Sequence, residues 1–448
     1  MNHEELLLEN TKLKEIITSL EAKVVYLLEV IQKQGIKKDS HNSHNSPSQD
    51  KFKPKRNTSL REKTGRKSGG QLGHEGKTLE MVDVADEIID LKSDFCSQCG
   101  EDLSSSFFEF LTRRQEVVLP PIKPIYREYR QFGSSCTCGH HQKADFPSSI
   151  TAPIQFGSDV IALVSYFNVF QYVPYARLEL LFQDIFNLSI SQGSIQNLLR
   201  KAAYKANPFY KTILEEIKKA PYVGSDETGA KVNGEKWWIW VWQNVKNTFI
   251  KTTNSRGFDS IEETFPEGLP KACIGSDRWA AQLKTDSKSK QLCFPHLLRE
   301  LNFLVESEKN QWATHFKALL QKALTLRRQA IEEEKPFTQN SPQTCQLEVE
   351  LNQLLAQQID KKQFAKTFTF QKSMIKHRNH LFTCLYHLEV PPSNNASERA
   401  IRTIKVKQKI SGQFKSGQHD FCVLRSIIDT LRKRNLNILS FLKDMVAI

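Results

Sequence analysis

The sequence predicts a multidomain α/β protein, with a mixed-sheet core that is interrupted by a helical insertion and preceded by smaller modules. Three observations carry that expectation. A chain of 448 residues is too long for one compact core. Strand-like runs broken by a short helix gather after Pro221, whereas long helical patterns flank them on both sides. The N-terminal third changes texture sharply, from heptads to a basic low-complexity stretch to paired cysteines.

Charge points to a class of partner. The net charge is +13, and two stretches supply more than all of it. Residues 36–77 hold eleven Lys/Arg against four Asp/Glu, and residues 399–436 hold ten against two. Such blocks suit a polyanion, because each neutralised phosphate releases counterions; two solvated, solubilising segments are the plainer alternative. No run of about 18 apolar residues occurs, so no transmembrane helix and no membrane partner are expected. Met1 to Leu8 carries two glutamates and no basic n-region, which argues against a secretory signal and for a cytoplasmic protein.

Residues 1–35 read as a leucine-zipper coiled coil. Leu6, Leu13, Leu20 and Leu27 recur every seven residues, with Asn10, Ile17, Val24 and Ile31 four positions after each. Leucine at d and mostly β-branched residues at a favour a parallel two-stranded coiled coil, and Asn10 at an a position fixes register. A homodimer or higher assembly through this zipper is the expectation; an amphipathic helix packed on its own protein is the alternative. Residues 36–92 read as a basic flexible linker with a Gly-rich motif, Ser68 to Gly76, whose glycines leave backbone amides open to phosphate. Residues 93–147 read as a zinc-binding domain. Cys96, Cys99, Cys136 and Cys138 form two close pairs, and four thiolates from two hairpin tips suit tetrahedral structural Zn²⁺. The second pair is C-x-C, so His140 or His141 is an alternative ligand there. Strands are expected between the pairs, over Gln115–Leu119 and Ile125–Phe132. Residues 150–220 read as a helical domain, with Leu178–Phe186, a break at Asn187–Ser191, and Gly193–Tyr204 resembling a helix-turn-helix for DNA; plain helical scaffold is equally open.

The core is expected over 221–300 and 391–435, with a helical insertion over 301–390 and a C-terminal tail over 436–448. Tyr222–Ser225, Lys236–Asn244 and Thr248–Thr253 read as three consecutive strands, Phe258–Phe265 as a short helix, Ala272–Ser276 as a fourth strand and Lys290–Phe294 as a fifth. That order is the plan of a ribonuclease H-like catalytic core, in which the first and fourth strands lie side by side. Each of those two ends in the same tripeptide, Gly224-Ser225-Asp226 and Gly275-Ser276-Asp277. Two carboxylates so close are costly unless a cation lies between them, and Mg²⁺ (or Mn²⁺) takes oxygen ligands while keeping water positions open. Glu398 is the candidate third acid. It heads a last helix over Ala396 to Lys409 on which Arg402, Lys405 and Lys409 share its face. The plainer alternatives are strand-end turn residues for the aspartates and, for Glu398, the N3 position of a capping box with Asn395 as N-cap.

At this point the chain resembles the transposases of the insertion sequence 66 family. The matching pieces run in order: the zipper, Gly69 to Gly76, the cysteine pairs, Asp226-Glu227-Thr228-Gly229 with the Trp237-Trp238 strand, Ser276-Asp277, and His296-Leu297-Leu298-Arg299. The last are Asn394 to Arg402 and Lys409 to Gly412. The resemblance implies a catalytic Asp-Asp-Glu triad holding Mg²⁺, matched here by Asp226, Asp277 and Glu398. It also implies binding to an element's terminal inverted repeats and to target DNA, N-terminal dimerisation, and a helical insertion before the glutamate; accessory proteins of the element are further candidate partners. Candidate DNA contacts are Arg399, Arg402, Lys405, Lys407 and Lys409, with Gln71 and His74 in the Gly-rich motif. His296 reads as a structural histidine, with a contact to DNA or to the active site as the alternative. The leading expectation is a transposase that cleaves at element ends and transfers 3′-hydroxyls by two-metal phosphoryl transfer. Its rivals are a non-catalytic, dimeric, zinc-containing DNA-binding protein derived from one, and a nuclease of the same fold that does not join ends.

Overall fold

A computed structural model describes residues 11–26 and 79–447; the Gly-rich motif lies outside them, and so does half of the heptad pattern. Residues 11–26 form a helix, α1, on which Leu13, Ile17, Leu20 and Val24 are each about half exposed. Residues 79–124 belong to one compact unit and 125–447 to another.

In the first unit the chain is held by irregular contacts. Phe95 bridges Asp102, and the side-chain amide of Gln115 pairs with both backbone groups of Val82, at 2.8 Å each way. The strands expected over Gln115–Leu119 and, in the second unit, Ile125–Phe132 do not form. Their apolar side chains, Val117, Leu119 and Ile125 among them, stay exposed. β-propensity is realised only where a neighbouring strand supplies a ladder and a packed face. What forms in its place is a short antiparallel hairpin, β1 (Gly133–Ser135) with β2 (His141–Lys143).

Three helices follow: α2 (Ser158–Ser165), α3 (Tyr175–Phe186) and α4 (Gln192–Lys218). Asn187 takes a left-handed φ of 47° to end α3, and Ser191 caps α4 by accepting from the Ser194 amide. The helix, turn and second helix therefore lie where the residue pattern puts them, though α4 runs on to Lys218. Ile195, Ala202, Ala206 and Ile217 of α4 share one core with Ile239, Trp240 and Trp242 of the sheet.

The sheet has five strands in the order β5-β4-β3-β6-β7. Their ranges are β3 Tyr222–Val232, β4 Glu235–Gln243, β5 Thr248–Thr253, β6 Leu269–Ser276 and β7 Ser287–Leu292, with α5 (Phe258–Glu262) and α6 (Ala280–Lys284) between the later ones. β3, β4 and β5 are antiparallel neighbours, while β3–β6 and β6–β7 are parallel. One expectation needs correction: β3 does not end at Ser225. It runs on to a two-residue turn, with Asn233 at φ 48° and Gly234 at φ 85°. Asn-Gly is the turn whose twist suits a tight hairpin, so β3 keeps pairing with β4 after β6 has left it.

After β7 the described chain is helical to residue 386: α7 (Phe294–Glu308), α8 (Gln311–Glu332), α9 (Pro342–Ala356), α10 (Ala365–Lys376) and α11 (Thr383–Tyr386). These helices build a second core around Trp312, Phe316, Phe370 and Leu385, which reaches the sheet through Tyr222, Cys273 and Leu292. The chain then returns to the sheet as α12 (Asn395–Ser411), which Gly412 ends at φ 71°. Two further helices follow the one expected to be last, α13 (Gln418–Lys433) and α14 (Ile438–Ala447). α13 covers the β5 edge: Ser426 Oγ and Thr430 Oγ1 accept from the Ile250 and Thr248 amides at 2.9 and 3.1 Å. Hydroxyls there satisfy donors that an edge strand leaves open.

Arg327 joins the helical insertion to the approach to α12. Its buried guanidinium donates to the carbonyls of Cys384 (2.6 Å), His387 (3.1 Å) and Leu388 (2.5 Å). Arg327→Met keeps the stem and removes three donors, so it is expected to cost about 2–4 kcal/mol. Denaturant unfolding checks this; a midpoint within error of wild type would contradict it.

Candidate active site

Register brings the two aspartates together. In the parallel pair β3–β6, Tyr222 lies opposite Cys273, Val223 opposite Ile274, and Gly224 opposite Gly275. The repeated Gly-Ser-Asp tripeptides are therefore aligned side by side. Asp226 and Asp277, each two residues on, leave the ladder at the same level, Asp226 within β3 and Asp277 just beyond β6. Neither glycine has room for a Cβ. At Gly224 it would lie 2.5 Å from Gln243 Nε2, 2.7 Å from Ser397 Oγ and 2.9 Å from Asn394 Oδ1, and at Gly275 it would meet the Tyr222 ring. Glycine is required here by close approach rather than by φ.

The crowding at Gly224 is also what docks α12. Asn394 Nδ2 donates to the Ser225 carbonyl at 2.7 Å, and Gln243 Nε2 donates to Ser397 Oγ at 3.2 Å. Those contacts seat the first turn of α12 on β3 and β4, with Glu398 in that turn. The capping-box alternative is not realised: Asn395 is already helical, and the N-cap residue Asn394 spends its amide on Ser225.

His296, on the first turn of α7, lies between the acids. Its Nδ1 is 3.0 Å from Asp277 Oδ1 and its Nε2 is 3.6 Å from Glu398 Oε1; Arg299, one turn on, is 3.6 Å from the same Glu398 oxygen. Asp277, Cys293 and His296 also have their ligating atoms within 4.8 Å of one another. Cys293 is buried and its thiol is pushed well up by that burial, while its Sγ accepts from the Asn394 amide at 3.2 Å. Through that bond the thiol holds the Asn394 turn beside the acids.

The electrostatics fit a divalent cation. Burial, then the charge of Asp277, with smaller contributions from Glu227 and Glu398, pushes the Asp226 carboxyl well above the usual range, although the Glu227 amide bonds its Oδ1 at 2.8 Å. Beyond the contacts to His296 and Arg299, Asp277 Oδ1 and Glu398 Oε1 are buried oxygens without a hydrogen bond. Crowded carboxylates with spare oxygens are the donor set that Mg²⁺ or Mn²⁺ takes.

The basic stripe is only partly as expected. Arg402 is exposed, 3.9 Å from Glu398 Oε2, and Lys409 and Arg399 are exposed as well. Lys405 donates to the Gly229 carbonyl at 3.0 Å. Lys407 is buried, and desolvation lowers it to about 8. Its spacing from Ala400 and Ile404, both buried, places it on the packed face of α12. Gln71 and His74 lie outside the described residues.

Each cysteine pair sits in its own tight turn. Gly100 (φ 77°) and Gly139 (φ 84°) follow the pairs, and their amides donate to the Cys96 and Cys136 carbonyls at 2.9 Å. The Cys99 and Gln98 amides lower the Cys96 thiol, and the Cys138 amide lowers Cys136. His141 Nδ1 is engaged 2.7 Å from Ser135 Oγ.

Sequence reasoning passes over Asn394, Gln243 and Arg299 as site residues and undervalues His296. A spacing of three places His296 and Arg299 on one helix face, which is a usable signal; the polar partners of Gly224 have none.

Asp226 also makes a prediction about stability. Its raised carboxyl contributes stability that is full below the ordinary value of about 3.9 and is lost as pH rises through its own higher range. Without divalent metal, Asp226→Asn is therefore expected to melt above wild type at neutral pH, with the gap closing on acidification. A wild type that melts higher at neutral pH would contradict this.

The family described as Transposase IS66 family matches residues 153–419, which include Asp226, Asp277, His296 and Glu398. A separate family of unknown function (DUF6444) matches residues 1–80. Among curated proteins, none matches the chain. The first match spans more than half of the 448 residues, and the chain belongs to the Transposase IS66 family.

Proposed function

We propose that the protein is a metal-dependent DNA transposase with a ribonuclease H-like core, and that Asp226, Asp277 and Glu398 are its catalytic carboxylates. The observation that carries this is the in-register pairing of Gly224 with Gly275, with α12 seated across it to bring in Glu398. A divalent metal pair held by these carboxylates would activate an attacking water or 3′-hydroxyl and stabilise the leaving oxygen. The residues around them supply orientation: His296 and Arg299 fix the Asp277 and Glu398 carboxylates, and Asn394 fixes the helix. Arg402 and Lys409, exposed on the face of Glu398, would take the phosphates on either side of the cut.

Partners follow from the flanking modules. The half-exposed heptad residues of α1 support self-association, so that two element ends are held by one assembly. The helix-turn-helix of α3 and α4 and the two cysteine turns would recognise terminal inverted repeats, and the Cys96–Cys99 turn and the Cys136–Cys138 turn would each offer thiolates to Zn²⁺. Among the described residues, no helix is long and apolar enough to cross a membrane.

In a strand-transfer assay with Mg²⁺, Asp226→Asn, Asp277→Asn and Glu398→Gln are each expected to lower nicking and joining by more than about 100-fold, beyond what loss of an outer-shell partner costs. Normal activity in any one would remove that residue from the triad, and free ends without joints would make the protein a nuclease. Purified protein is expected to carry zinc that Cys96→Ser and Cys136→Ser lose, as read by elemental analysis; equal zinc in the variants would remove those ligands.

A further inference from the structure

Beside the acids lies a cluster that the proposed chemistry leaves unused. The Arg256 guanidinium sits 3.6 Å from the centroid of the Trp279 ring and 4.9 Å from that of Trp238. Trp279 is two residues beyond Asp277, and the partner of Arg256, Glu227, directly follows Asp226. The stack is thus tied by short stretches of chain to both aspartates.

The stack is built to hold its shape. Arg256 donates through Nε (2.9 Å) and through its terminal nitrogen (2.6 Å) to one oxygen of Glu227, whose side chain is 5% exposed. The other Glu227 oxygen accepts from Gln282 Nε2 at 3.0 Å, and Trp279 Nε1 donates to the Arg256 carbonyl at 3.3 Å. The preceding carbonyl, that of Ser255, accepts from Trp240 Nε1, Thr253 Oγ1 and Ser260 Oγ. Trp279 is turned outward by Arg278, a non-glycine residue at φ 72° that is held by Glu300 at 2.6 Å. Backbone strain of this kind persists where the surroundings over-determine it, and it gathers at functional sites.

Trp279 is nevertheless 36% exposed, although it is a large apolar ring with one face already backed. Its environment selects the ligand. The charge of Arg256 is spent on buried Glu227, and the exposed cation of the cluster, Lys236, lies over Trp238 at 5.1 Å. What the cluster offers is a rigid aromatic face at the edge of a site that handles DNA, and every nucleobase has a π-face to lay on it.

We propose that Trp279, backed by Arg256 and Trp238, is a stacking platform for one unpaired nucleobase of the DNA being processed. This rests on the DNA-transposase reading, because the base is taken from the strand whose backbone lies at Asp226, Asp277 and Glu398. A base parked on Trp279 would anchor the strand next to the acids and favour ends that are already unpaired.

The test compares a labelled blunt duplex with the same duplex carrying a short single-stranded 3′ tail. Binding is followed by anisotropy without divalent metal, using the full chain as wild type, Trp279→Ala and Trp279→Phe. Wild type is expected to prefer the tailed duplex, Trp279→Ala to lose about tenfold of that preference, and Trp279→Phe to keep most of it. Blunt-duplex binding and melting temperature in the variants separate loss of stacking from loss of fold. A preference that Trp279→Ala leaves intact, or a wild type without one, overturns the platform. Nicking in Mg²⁺ is scored separately. Tail preference without nicking would sink the catalytic reading alone, whereas nicking without any dependence of the preference on Trp279 would sink the platform alone.

Discussion

Two carboxylates are forced into one small space by the register of a parallel strand pair, and the rest of the site answers that constraint. Gly224 opposite Gly275 leaves Asp226 and Asp277 at the same level where the pairing stops. Like charges placed so are tolerable only with a proton, a cation or a positive neighbour between them. The raised Asp226 carboxyl is the first of those. Arg299 and Arg402, beside Glu398, are positive neighbours of the third acid.

The same glycine also governs the third acid. Any side chain at position 224 would displace Gln243, Ser397 and Asn394, which are the groups that seat α12. The helical insertion contributes from farther away: Arg327 holds the Cys384–Leu388 carbonyls just before the chain turns back toward Asn394. Placement of Glu398 thus depends on two packed bodies, the sheet with its covering helices and the insertion with its own core. α7 lies where they meet, its Phe294 and Leu297 in the insertion's core and its His296 at the acids.

Much of this is legible in the sequence. Strand order, the paired Gly-Ser-Asp tripeptides and the helical character of 301–390 are local or periodic signals, and they survive because burial and hydrogen bonding reinforce them. Expectation and fold part where one local signal outweighs another. Asn233-Gly234 announces that β3 continues to a hairpin, whereas the Gly-Ser-Asp tripeptide suggests a strand end at Ser225. Lys407 looks like part of a cationic stripe, although its spacing from Ala400 and Ile404 puts it on the packed face. The strand-like runs at 115–119 and 125–132 have the composition of strands and no partner to pair with.

The sequence by itself determined which chemistry is available: acids in two matching Gly-Ser-Asp tripeptides, two close cysteine pairs, cations in two blocks, and membership of the Transposase IS66 family over residues 153–419. Those properties are written in residue types, short spacings and chain order, which need no long-range contact to be read. Only the tertiary structure decided that Gly224 meets Gly275, that Asn394 caps nothing and instead locks α12 to β3, and that His296 stands between two acids. It also decided that Arg256 reaches across 23 residues of chain to lie on Trp279. Contacts of that kind are set by strand register and helix docking, where a shift of one residue would exchange every neighbour while leaving each local pattern unchanged.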